Sequence, residues 1–189
     1  MCESANKTQM CIAAYEKHKH LHSAAKSVGI PWQTVYWHLR QAGVPVVGDK
    51  SRYGSSSDRL AARAEARFQE IAPCAIDMNR KKFQSKVDFT VGGLGVDIKC
   101  GRLLRDRWAF CIKKQEAVAD FFVCFAMSNT DHAKDAVFLH TLLIPGEIAR
   151  RYKTMSLSNN VRGKWWQYEI SDHDLGVFFN DQVNSLASA

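Results

Sequence analysis

The sequence predicts an α/β fold, a mixed β-sheet flanked by helices and preceded by a small all-α unit. Three observations lead there. Between residues 5 and 45 apolar residues recur at helical spacing, punctuated by Gly29, Pro31 and Gly43. In KVDFTVGGLGVDIKC, residues 86 to 100, the apolar period changes to two. FFVCFAM, residues 121 to 127, is an unbroken apolar run, the composition of a strand buried on both faces. The expected organisation is a helical unit over 1–46, a Gly/Ser-rich basic linker over 47–57 and an α/β domain over 58–189.

The elements follow in order. TQMCIAAYEKH is a helix by its spacing, HSAAKSVGI a short helix stopped at Gly29, and PWQTVYWHLRQAG a helix from Pro31 to Gly43. Ala24, Ala25, Val28, Ile30, Val35 and Leu39 form the expected small core. DRLAARAEARFQEIA, 58 to 72, is a helix capped by Asp58 or a preceding serine, with Leu60, Ala64, Phe68 and Ile71 or Ala72 inward. CAIDMN reads as a first strand and residues 86–100 as the next two. RWAFCIKK is a strand or extended edge, QEAVAD a helical turn, and AVFLHTLLI a further strand. PGEIARRYK begins a helix, and WWQYEI and LGVFFN give an edge strand and a helix.

The hairpin raises the chemical question. Gly92-Gly93 suits a two-residue turn, since glycine accepts positive φ. Reading outward, Val91 faces Leu94, Phe89 faces Val96 and Val87 faces Ile98 on an apolar side. On the other side Thr90 meets Gly95, Asp88 meets Asp97 and Lys86 meets Lys99. Like charges directly opposite destabilise a sheet, so two facing carboxylates call for a cation between them. A solvated charged face is the alternative.

Composition narrows the class. The 189 residues carry 46% hydrophobic and 11% aromatic residues, which suits a packed protein. The formal charge of +7 points to a polyanionic partner, most simply nucleic acid. Six cysteines form no C-x-x-C pair and read as reduced thiols, so zinc is disfavoured. No apolar run approaches a membrane span and no signal pattern opens the chain; the expectation is a cytoplasmic protein with no membrane partner. His18, His20 and His22 do not share a helical face, which argues against a metal triad.

SAAKSVGIPWQTVYWHLRQAGV closely resembles the helix-turn-helix of bacterial and phage DNA-binding domains. The resemblance implies a recognition helix exposing Trp32, Gln33, Thr34, Trp37, His38 and Arg40. Its early residues would reach base edges, with Lys26 and Arg40 on phosphates of double-stranded DNA. An ordinary helical hairpin is the alternative.

A helix with an inward glutamate, a strand with Asp88, and a strand with Asp97-Ile98-Lys99 together resemble the PD-(D/E)xK nuclease superfamily over roughly residues 58 to 144. Val87 stands where the motif name has proline. The resemblance implies a restriction-endonuclease-like sheet and a Mg²⁺-dependent endodeoxyribonuclease, with Mn²⁺ as a substitute metal. It assigns Asp88, Asp97 and Glu65 (alternatively Glu70) to the metal, with the Ile98 carbonyl, and Lys99 to the attacking water. Lys86, Gln115 and the basic loop of Arg102, Arg105 and Arg107 are candidate DNA or site contacts or plain surface; Trp165 and Trp166 read as core or interface. Duplex cleavage by one such site per chain implies a homodimer. Restriction or homing roles of bacterial, phage or mobile-element origin fit best. The alternatives are a junction-resolving or repair nuclease and a non-catalytic DNA-binding regulator of the same fold.

Overall fold

The structure is a computed structural model of the chain and describes residues 2–44, 46, 55–81, 85–112, 117–130 and 132–187. Three helices come first: α1 (Cys2–His18), α2 (Leu21–Val28) and α3 (Trp32–Gln41). His20 caps α2, its ring nitrogen accepting the Ser23 N–H at 3.3 Å. Cys11, Leu21, Ala24, Ala25, Val35, Leu39 and Val46 close one apolar cluster, with Val28, Ile30 and Trp32 partly buried against it.

Helix α4 (Ser56–Ile71) begins with a reciprocal cap, in which the Ser55 hydroxyl accepts from Asp58 N–H and Asp58 accepts from Ser55 N–H. A two-residue strand β1 (Ile76–Asp77) follows, then one helical turn α5 (Met78–Lys81), where the sequence pattern suggests a strand throughout. Strands β2 (Phe89–Val91), β3 (Leu94–Arg102), β5 (Phe121–Met127) and β6 (Phe138–Pro145) complete a five-stranded sheet of order β1-β2-β3-β5-β6. It is mixed: β3 and β5 run parallel and the other neighbours antiparallel. Helix α6 (Gly146–Ala149) is a single turn, and α7 (Asp172–Ala187) closes the described chain. The tail segment WWQYEI forms a 3₁₀ turn with one bridge, Leu142 to Glu169, at the β6 edge rather than a strand.

Strand β4 (Arg107–Cys111) leaves the main sheet. It pairs instead with β7 (Thr154–Ser158) in a two-stranded ribbon. Gly101 permits this ribbon to cross β3 closely, because a Cβ there would stand 3.0 Å from the Ala109 carbonyl oxygen. The ribbon thereby covers one face of the sheet, burying Trp108, Phe110, Met155 and Leu157 with Phe122 and Cys124. The Trp108 indole N–H, inside that layer, donates to the Met127 carbonyl at 2.8 Å.

The opposite face takes α4 and α7. Leu60, Ala64, Phe68 and Phe179 pack on Phe89, Val96, Ile98, Val123 and Phe125. Phe68 sits at the centre, its ring 5.1 Å from Phe89 and 5.3 Å from Phe179. The sheet is therefore a filled middle layer, and strand β5, apolar on both sides, reads in sequence as the continuous run its burial requires.

Candidate active site

Local backbone chemistry builds the site. Gly92 and Gly93 take φ values of 53° and 78°, the positive pair that a tight hairpin turn demands. The register is the one the alternation predicts: Val91 pairs Leu94, Thr90 pairs Gly95 and Phe89 pairs Val96. Beyond Phe89 the ladder stops. Asp88 N–H donates to the Val96 carbonyl at 3.1 Å, and the next backbone donor, Ile98 N–H, is taken by the Asp88 carboxylate at 2.8 Å. The expected pairs Val87–Ile98 and Lys86–Lys99 do not form in the β2–β3 ladder. Instead Val87 folds across Gly95, its methyl 3.1 Å from where a Cβ would be, and packs with the ribbon side of the sheet. A side chain has replaced a strand at this point, which alternation cannot foresee.

The break brings two acids together. Asp97 is set beside Asp88, near enough that the second carboxyl raises its pKa. Lys99 Nζ lies 2.7 Å from Asp97 Oδ1, with both side chains largely enclosed at 25% and 16% exposure. Burial first, then the neighbouring Asp88 carboxyl, pushes the Asp97 carboxyl up from 3.8 to about 7, against the pull of Lys99. The Lys99 ammonium also stands 5.9 Å from the centre of the Phe122 ring. Cys124, opposite Lys99 in the parallel register, is fully buried, and burial raises its thiol pKa strongly. It is a packing group here, not a nucleophile.

Glu65 lies on helix α4 and is partly buried. Its helix α4 packs on the Val96 and Ile98 side of β3, whereas Asp97 and Lys99 alternate to the ribbon side. Among the described residues no three His, Cys, Asp or Glu side chains gather as a metal-holding group. Asp88 and Asp97 thus stand as a pair. The alternative acid, Glu70, is exposed and bonds Arg67 at 3.0 Å.

Two carboxylates still suit magnesium. That ion takes oxygen ligands and commonly uses one or two carboxylates, completing its shell with water and phosphate. Each carboxylate offers about four lone-pair positions. Asp88 accepts from Asn79 and Ile98 and Asp97 accepts from Lys99, contacts that leave oxygen lone pairs for a cation.

The other candidate contacts are distributed. Lys86 is exposed, and Gln115 lies outside the described residues. Arg102 alternates to the α4 face of β3, away from Lys99; its Nη2 is buried without a hydrogen-bond partner among the described residues. Arg105 is exposed at the tip of the turn from β3 to β4, with φ 59°. On α3, Gln33, Thr34, Trp37 and Arg40 are exposed, as is Lys26 on α2; Trp37 is the largest of them at 54% exposure. His38 is a correction. It is 6% exposed and its ring bonds the Thr8 hydroxyl of α1 at 2.8 Å, so it fastens α1 to α3 instead of facing outward. Trp32 likewise turns into the three-helix cluster. The burial of His38 reflects α1, which covers a face that the two-helix pattern leaves open.

Asn79 escapes sequence reasoning. Its amide donates to Asp88 Oδ1 at 3.1 Å from nine residues upstream, and no spacing rule connects an asparagine in a one-turn helix to a later strand acid. No described helix is long and apolar enough to cross a membrane. Compared with known protein families, curated proteins and solved structures, the chain matches none.

Proposed function

We propose that the chain is a Mg²⁺-dependent endodeoxyribonuclease with a PD-(D/E)xK, restriction-endonuclease-like core, directed to duplex DNA by the helix-turn-helix of α2 and α3. The observation that carries the reading is the contact of Asp88 with Asp97, with Lys99 bonded to the second acid. Two carboxyl groups set together in a largely enclosed place are an unfavourable way to build a core, and a structural role gives no reason for them. A bound divalent cation would supply Lewis acidity toward phosphate and a water of lowered pKa.

The chain's own groups do the rest. Asp88, just before β2, and Asp97 on β3 offer oxygen ligands side by side. Lys99 holds a fixed positive charge beside them, where it offsets negative charge growing on a phosphate during attack. Phe122 and Cys124 wall the inner side of Lys99, which keeps its ammonium directed at the acids. The exposed row of Gln33, Thr34, Trp37 and Arg40 on α3 supplies groups that read base edges and neutralise phosphate. A homodimer would cut both strands.

Supercoiled plasmid incubated with the protein and Mg²⁺ tests this. Nicking or linearisation should appear, stop with EDTA and vanish in Asp97→Ala. Equal cleavage by wild type and variant refutes the assigned site. That no third acid gathers with the pair among the described residues favours one second reading, a regulator that retains the fold. Such a protein would bind its DNA equally with and without EDTA and leave it uncut.

A further inference from the structure

We infer that Asn79 is a positioning residue: it fixes the Asp88 carboxylate toward Asp97 and so sets the affinity of the acid pair for a divalent cation. The inference rests on the nuclease reading above and adds a residue to it. An ionised carboxylate can only accept, so the group facing Asp88 must be the NH₂ of the amide, which fixes how the Asn79 side chain is turned. With Ile98 N–H on the other oxygen, Asp88 is held at both ends and cannot rotate freely.

The support extends one step further back. Asp77 Oδ1 accepts the Asn79 backbone N–H at 2.9 Å, and Asp77 is itself paired with Phe89 across the β1–β2 ladder. Met78 N–H donates to the Asp88 carbonyl at 2.9 Å. Residues 77 to 79 are thus tied to residues 88 and 89 through main chain and side chain alike. This explains why the first strand stops after two residues and turns into α5: the turn swings the Asn79 amide onto Asp88. A carboxylate held in place before a cation arrives loses little torsional freedom on binding, whereas a loose one must be ordered at that moment.

The test uses the full chain and Mn²⁺ as the probe. Binding is measured by calorimetry at pH 8, cleavage by plasmid nicking, and folding by thermal melting in EDTA. Asn79→Ala and the near-isosteric Asn79→Leu should lower Mn²⁺ affinity about 10- to 100-fold, the range for losing a partner that orients a ligand. In both, kcat should fall while KM for DNA stays within about twofold, because α3 is untouched. Asn79→Gln, which keeps the donor, should recover part of the affinity. The inference is overturned if Asn79→Ala and Asn79→Leu bind Mn²⁺ and cut as the wild type does. It is equally overturned if their loss merely tracks a fall in melting temperature and Asn79→Gln recovers nothing. A wild-type chain that neither binds Mn²⁺ nor cuts sinks the nuclease reading instead, so the two failures are distinguishable.

Discussion

Replacing Asp97 with asparagine should abolish cleavage and yet make the metal-free protein more stable. The reason lies in where the charge sits. The Asp97 side chain is 16% exposed and its carboxyl titrates at about 7 in the fold, against 3.8 ordinarily. Below pH 4 the group is protonated in folded and unfolded chains alike, and its full contribution to stability is present. As pH rises from 4 toward 7 the unfolded chain releases the proton while the folded one keeps it, so stability falls; above 7 the loss is complete. The interval from 3.8 to about 7, at about 1.4 kcal/mol per pH unit, sets a ceiling of about 4 kcal/mol. Partial solvent access and the loss of a partner for Lys99 reduce the expected gain in Asp97→Asn to roughly 2–3 kcal/mol at pH 8. For a chain of this size that raises Tm by roughly 4–12 °C. Thermal melts in EDTA at pH 4, 5, 6, 7 and 8 would trace the curve. A variant less stable than wild type at pH 8, or a gain of equal size at pH 4 and pH 8, would show that Asp97 is not a strained buried acid and that the account of the site is wrong.

Three further outcomes follow from the same geometry. Cleavage at fixed Mg²⁺ should rise as pH passes through about 7, because the proton on Asp97 competes with the cation; a rate profile flat from pH 6 to 8 would contradict this. Trp37→Ala should weaken DNA binding at least severalfold in a gel-shift assay without moving Tm by more than a degree or two, since the indole is exposed; unchanged binding would remove α3 from the DNA interface. Gly101→Ala should cost about 1–3 kcal/mol in urea unfolding, as its Cβ would press on the Ala109 carbonyl of the ribbon strand, and a neutral result would mean β4 does not cross β3 this closely.

The hairpin shows how far pattern alone carries. A Gly-Gly step flanked by alternating residues has one good register, and the structure adopts it from Val91–Leu94 to Phe89–Val96. The same rule fails one residue later, where Asp88 offers a carboxylate oxygen to Ile98 N–H in place of a backbone carbonyl. A side chain that competes for a backbone donor leaves no trace in hydrophobic period. The layer that carries Glu65 is legible only in part. Helical spacing says which side of α4 is apolar, but only the packing of that helix on Val96 and Ile98 says which face of the sheet it covers. His38 was lost to the arrival of α1, a long-range contact with Thr8 thirty residues away.

The sequence by itself determined the local structure: the three N-terminal helices, the capped helix α4, the glycine turn, the apolar central strand and the Asp97–Lys99 spacing on one side of β3. These are properties of neighbouring residues, set by backbone conformation and by period. Only the tertiary structure decided that β4 leaves the sheet to pair with β7, that Asn79 meets Asp88, and that His38 turns inward onto Thr8. Those outcomes depend on which layers stack and on which distant donor finds which acceptor. They are fixed when the core closes, and no stretch of chain contains them in advance.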